Sequence, residues 1–128
     1  MGFKVEWDNS RKTVIRVDVQ GYWTWEEYAA GIEETYDLMV TVEHTVDVII
    51  HGIGGLQVPS GNMLAHVKES ASLKPDNMGI LLLVGANPFI RAIGNIFARI
   101  SKRSTLLLYA NSLEEGRLIL AERREQVR

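Results

Sequence analysis

The chain has 128 residues, 46% of them hydrophobic and 23% charged, with a formal net charge of -2 and no cysteine. That length fits one domain, residues 1–128, with a single core, and the composition excludes disordered and fibrous chains. Without cysteine there are no disulfides, cysteine nucleophiles or thiolate metal sites, and the near-balanced charge gives no general pull toward nucleic acid or acidic membranes.

Phe3, Val5 and Trp7 alternate with Lys4 and Glu6, the period of a half-buried strand. Asp8-Asn9-Ser10 supplies turn chemistry. Thr13 to Val19 then resumes the alternation, with Ile15, Val17 and Val19 on the core face and Val14, Arg16 and Asp18 on the other, so a tight hairpin is predicted. After Gly21 the period changes to about 3.6. Thr24 and Glu27 form a capping box for a helix that carries Trp25, Tyr28, Ala29, Ile32, Tyr36 and Met39 on one face and acidic residues on the other. The cluster Tyr22, Trp23, Trp25, Tyr28 is read as core packing at a strand-to-helix corner, with a stacking platform for a ring or base as the alternative.

Val46 to Ile50 is a buried strand, and the glycines at 52, 54, 55 and 61 are read as the turn that follows it. Ser60 is the predicted cap of a second helix with Met63, Leu64, Val67 and Ala71 as its buried stripe. Met78 to Ala86 is apolar on both alternating faces, as a strand covered by helices on both sides would be, and is predicted to be innermost. Asn87-Pro88 opens a third helix whose apolar face is Phe89, Ile90, Ile93, Ile96, Phe97 and Ile100. Arg91, Arg99, Lys102 and Arg103 line its other side and end, and the last three, in the final turns, are read as solvated residues that complement the helix dipole, with anion binding as the alternative. Thr105 to Ala110 is the last strand. Ser112 and Glu115 make a second capping box, and the terminal helix carries a broken stripe of Leu113, Leu118, Ile119 and Leu120 and a polar end expected to fray.

The expected fold is therefore α/β: a mostly parallel five-stranded sheet with an antiparallel first strand and about four helices, joined by right-handed crossovers. No apolar segment is long enough to span a bilayer and the N-terminus has no signal core, so a cytoplasmic protein without membrane insertion is expected. No feature specifies an oligomeric state.

Chemistry is sparse. His44, His51 and His66 lack metal-ligand spacing, and each is read as structural or on the surface. The glycines match neither a dinucleotide fingerprint nor a P-loop, so no cofactor and no metal is expected. Val58 and Asn62 stand where a nucleophile elbow around Ser60 would need glycine, and no catalytic residue is assigned. What remains is a polar, glycine-rich loop at the carboxyl end of a strand, where α/β proteins collect ligands and partners. Gly54, Gly55, Gln57, Pro59, Ser60, Gly61 and Asn62 are the candidate partner-binding residues. The alternative for that stretch is a tight connection that permits close helix packing.

The order of elements resembles the STAS family, the anti-sigma factor antagonist fold, and especially its SpoIIAA-like branch. The resemblance spans nearly the whole chain: the paired opening strands, the helix at GYWTWEEY, the strand VDVII, the turn and helix at VPSGNML, GILLLVG, NPFIRAIGNIF and TLLLYANSLEEGRLIL. It implies a non-catalytic regulatory or protein-interaction module. Regulatory members carry Asp-Ser-Ser/Thr-Gly before the second helix and are phosphorylated on the first serine. Aligning Ser60-Gly61 with the end of that motif puts Pro59 at the phosphorylated position and Val58 at the aspartate, so the regulatory phosphosite is missing. Lipid-binding domains of related architecture make a small apolar ligand, held between the sheet and the first or third helix, the alternative, and an enzyme with an unrecognised site the weaker one.

Overall fold

The computed structural model describes residues 2–56, 59–85, 88–101 and 106–126. Gln57, Val58, Ala86, Asn87, Lys102, Arg103 and Thr105, named above, lie outside the described residues. The chain runs β1 (Phe3–Trp7), β2 (Val14–Gly21), α1 (Trp25–Met39), β3 (Val46–Leu56), α2 (Met63–Ser72), β4 (Met78–Val84), α3 (Pro88–Ser101), β5 (Leu107–Ala110) and α4 (Leu113–Gln126). One five-stranded sheet has the order β1-β2-β3-β4-β5, with β1 antiparallel to β2 and every other pair parallel.

Because the strands follow one another across the sheet in chain order, the middle strand is β3 and not β4, contrary to expectation. β4 is an interior strand and is covered on both faces. Right-handed crossovers that advance in one direction put their helices on one side. Accordingly α1, α2 and α3 share a face, where Ile15, Val17, Val19, Val48, Leu81 and Leu83 meet Tyr28, Met39, Val67 and Phe97. The other face is covered by α4 alone: Val14, Ile49, Leu82, Val84 and Ala110 pack against Leu120. Val14 is thus buried as well, in the second layer rather than facing solvent.

The local signals fold as their chemistry dictates. Thr24 Oγ1 accepts from Glu27 N at 3.0 Å and the Glu27 carboxylate accepts from Thr24 N at 2.9 Å, closing the capping box of α1. At α4, Ser112 Oγ accepts from Glu115 N, while the Glu115 carboxylate reaches one residue further back, to Asn111 N at 2.6 Å. Three stripe assignments change. Ala29 is exposed, and Thr35 takes an inward position, its hydroxyl donating to Gly31 O. Leu64 and Leu118 face solvent, at 56% and 65% exposure. The polar end of α4 is also tied down: Arg124 donates to the carbonyls of Thr13 and Thr45 and to Asp47 Oδ2.

Between α1 and α2, two tyrosines converge on one serine. Ser70 Oγ donates to Val67 O, so the Tyr28 hydroxyl, 2.8 Å away, is the donor to it. Tyr36 donates to Ser70 O at 2.7 Å. Burial pushes the Tyr28 hydroxyl up to about 12 against the opposing effect of its bond to Ser70, and burial likewise raises Tyr36.

Candidate functional site

The loop singled out from the sequence divides into two parts. Gly54 and Gly55 belong to β3, which continues six residues beyond Ile50. The expected turn at these glycines is corrected by a non-local fact: β2 runs on to Gly21, so Val19, Gln20 and Gly21 supply ladder partners to Gly52, Ile53 and Leu56, with a register irregularity at Gln20/Gly21. Glycine in a strand often marks such an irregularity. Among the described residues the turn comprises 59–62, and there Ser60, Gly61 and Asn62 are exposed while Pro59 is half-buried.

The cap of α2 is Asn62, not Ser60: the Asn62 side-chain oxygen accepts from Ala65 N at 3.2 Å. Two residues nearer the helix, it reaches the amide that a capping side chain must reach, and Ser60 is left with a free surface position. Beneath the turn lies a packed aromatic floor. The Trp25 ring stacks on His66 with centroids 4.6 Å apart and planes 9° apart, and Trp23 and Tyr28 meet Trp25 edge-on. The early cluster of aromatics is therefore core for Trp23, Trp25 and Tyr28, while Tyr22 stands 79% exposed. Gly61 has φ +119°, and a Cβ there would lie 3.2 Å from Trp25 Cδ1. The turn fits its floor only with glycine at this position.

Comparison with family models, curated proteins and solved structures finds no match.

A second polar constellation went unnoticed in the sequence. On the sheet face that carries α4, Arg16 is surrounded by three carboxylates: Nε faces Asp18 at 3.1 Å, Nη1 faces Asp8 at 2.6 Å and Nη2 bonds Glu6. Arg117 of α4 adds two bonds to Asp8, at 2.7 and 2.8 Å. Burial opposes ionisation of Asp8, but the bonds from Arg117 and Arg16 outweigh it and hold the carboxyl below its ordinary 3.8. His51 Nδ1 lies 3.0 Å from Asp18 Oδ1. A carboxylate-held imidazole is how many enzymes orient a base; among the described residues no serine or threonine hydroxyl is bonded to it. The three histidines are not brought together: His44 bonds Lys12 O, His51 pairs with Asp18 and His66 stacks on Trp25. Among the described residues no three histidine, aspartate or glutamate side chains could hold a metal.

Behind α1 lies an apolar void of about 60 Å³, bordered by Phe3, Val19, Tyr28, Ile32, Tyr36 and Phe97. It sits between the sheet and the first and third helices, where the alternative reading places a small apolar ligand. Among the described residues no helix is long and apolar enough to cross a membrane.

Proposed function

We propose that this chain is a non-catalytic, STAS-like interaction module that binds a protein partner through the turn 59–62 and the first turn of α2. The reading is carried by one observation. At the carboxyl end of the parallel strands, Ser60, Gly61, Asn62 and Leu64 lie in the open over a buried aromatic floor. Polar groups for orientation and a large exposed apolar side chain, mounted on packed aromatic rings, suit recognition of another protein. The order of elements supports placing the module among STAS-like domains. Proline at position 59 has no hydroxyl, so its partner is recognised without the family's phosphoserine switch.

The void behind α1 is the observation on the side of an apolar-ligand carrier. At about 60 Å³ it is less than half the roughly 150 Å³ of an engineered cavity that holds benzene, and an acyl chain needs far more room. The surface reading is therefore preferred.

A photo-crosslinking amino acid at position 64 tests it in cells. A discrete adduct is expected, lost on adding Ser60→Arg, a change outside the Asn62 cap that should leave the melting temperature in place. The control is the same crosslinker at position 118, an equally exposed leucine on α4. If position 64 captures nothing beyond what position 118 captures, the turn is not the binding surface.

A further inference from the structure

In parallel α/β sheets a crevice opens outside the carboxyl ends of two adjacent strands when the helices that follow them pass to opposite faces. Here the helices after β2, β3 and β4 all lie on one face, and only the helix after β5 crosses to the other. The parting thus falls between β4 and β5. A polar recess of about 210 Å³ occupies that place, bordered by Gly85, Arg91, Tyr109, Asn111 and Glu115. Its location follows from topology, independently of the turn 59–62.

Arg91 is the side chain that gives the recess a chemistry. Its guanidinium lies over the Tyr109 ring, 4.9 Å from the centroid, and the Tyr109 hydroxyl donates to Asn95 Oδ1 at 2.9 Å, which fixes the ring. Stacking orients the guanidinium without using its N–H groups, and Arg91 forms no ion pair or hydrogen bond with a described residue. Arg16, Arg117 and Arg124, by contrast, each give donors to a carboxylate. Glu115, across the recess, already accepts from Asn111 N and is part of the α4 cap.

We infer that the β4–β5 crevice is a binding site for a small oxyanion, a carboxylate or phosphate group received by the Arg91 guanidinium on its Tyr109 shelf. A planar fork of donors matches two oxygens of such a group. The volume is below the roughly 300–1,000 Å³ of drug-sized pockets, so the site takes a small molecule or the anionic end of a larger one. The side-chain amide of Asn111, which borders the recess, is a further donor, and the neighbouring Glu115 carboxylate disfavours densely charged polyanions.

Sodium phosphate and sodium acetate, titrated separately at ionic strength matched with sodium chloride, provide the test by ¹⁵N NMR of the full chain. The expected result is saturable shifts at Arg91 Nε and the amides of Gly85 and Asn111 with at least one of the two, and which anion saturates distinguishes phosphate from carboxylate. Arg91→Gln should weaken that binding roughly tenfold or more with an unchanged melting temperature. Tyr109→Leu should weaken it less, by removing the shelf and keeping the charge. Shifts that chloride reproduces, shifts that persist in Arg91→Gln, or no saturable shift with either anion would overturn the assignment.

Discussion

The hydroxyl of Tyr28 donates to Ser70 Oγ at 2.8 Å across 42 residues of sequence, and both side chains are buried. Ser70→Ala removes the acceptor and leaves a buried hydroxyl with nothing to bond, which should cost about 1–3 kcal/mol. Tyr28→Phe removes the donor instead, and Ser70 Oγ keeps its bond to Val67 O, so the loss should be smaller. The double variant should be more stable than the sum of the two single losses. Urea denaturation of the four proteins measures this, and additive losses would show that the bond does not couple α1 to α2.

Asp8 makes stability depend on acid. Its folded value lies below the ordinary 3.8, so its pairs with Arg16 and Arg117 contribute fully above that pH and are lost as pH falls through the folded value. Asp8→Asn should be less stable than the wild type by about 1–3 kcal/mol at neutral pH, with the two curves converging only below 3.8. Thermal melts from pH 7 down to pH 2 check the direction. A difference that stays constant to the acid end would mean that ionisation of Asp8 is not what matters.

Gly61→Ala places a methyl group 3.2 Å from Trp25 Cδ1 at a backbone angle that side chains rarely adopt. A loss of roughly 1–3 kcal/mol is expected, with a change in tryptophan fluorescence as the Trp25–His66 stack shifts. Ser60→Ala, one residue earlier and exposed, should change neither. Equal behaviour of the two variants would contradict the packing of the turn on its floor.

What the sequence revealed was local. The period-two runs at Phe3–Trp7 and at Ile15, Val17 and Val19, and the Thr24–Glu27 box, depend on residues a few positions apart, and the structure has each where it was expected. The unbroken run in β4 was equally legible, since both its faces are covered. What failed depended on distant partners. Gly54 and Gly55 look like a turn until β2 is seen to extend alongside β3, and Leu64 looks buried until α2 is docked with Val67 and Ser70 inward. Asn62 and Ser60 are both good caps, and only the start of the helix at Met63 decides between them. The ring of carboxylates around Arg16 had a faint signal, the alternating Lys4, Glu6, Asp8 opposite Arg16 and Asp18. The β4–β5 crevice had none, because it arises when α4 crosses to the face that the other helices leave bare.

The bonds from Arg117 to Asp8 join residues 109 positions apart, whereas Arg16 meets Glu6, Asp8 and Asp18 within its own hairpin. Closing so long a loop carries a larger entropic cost than closing the hairpin. The charges of the opening strands are thus matched in part without α4. Until α4 arrives, Ile49, Leu82 and Val84 face water as an apolar strip. A chain without α4 would expose that strip, and a truncation before Leu113 should yield aggregates rather than a smaller soluble domain.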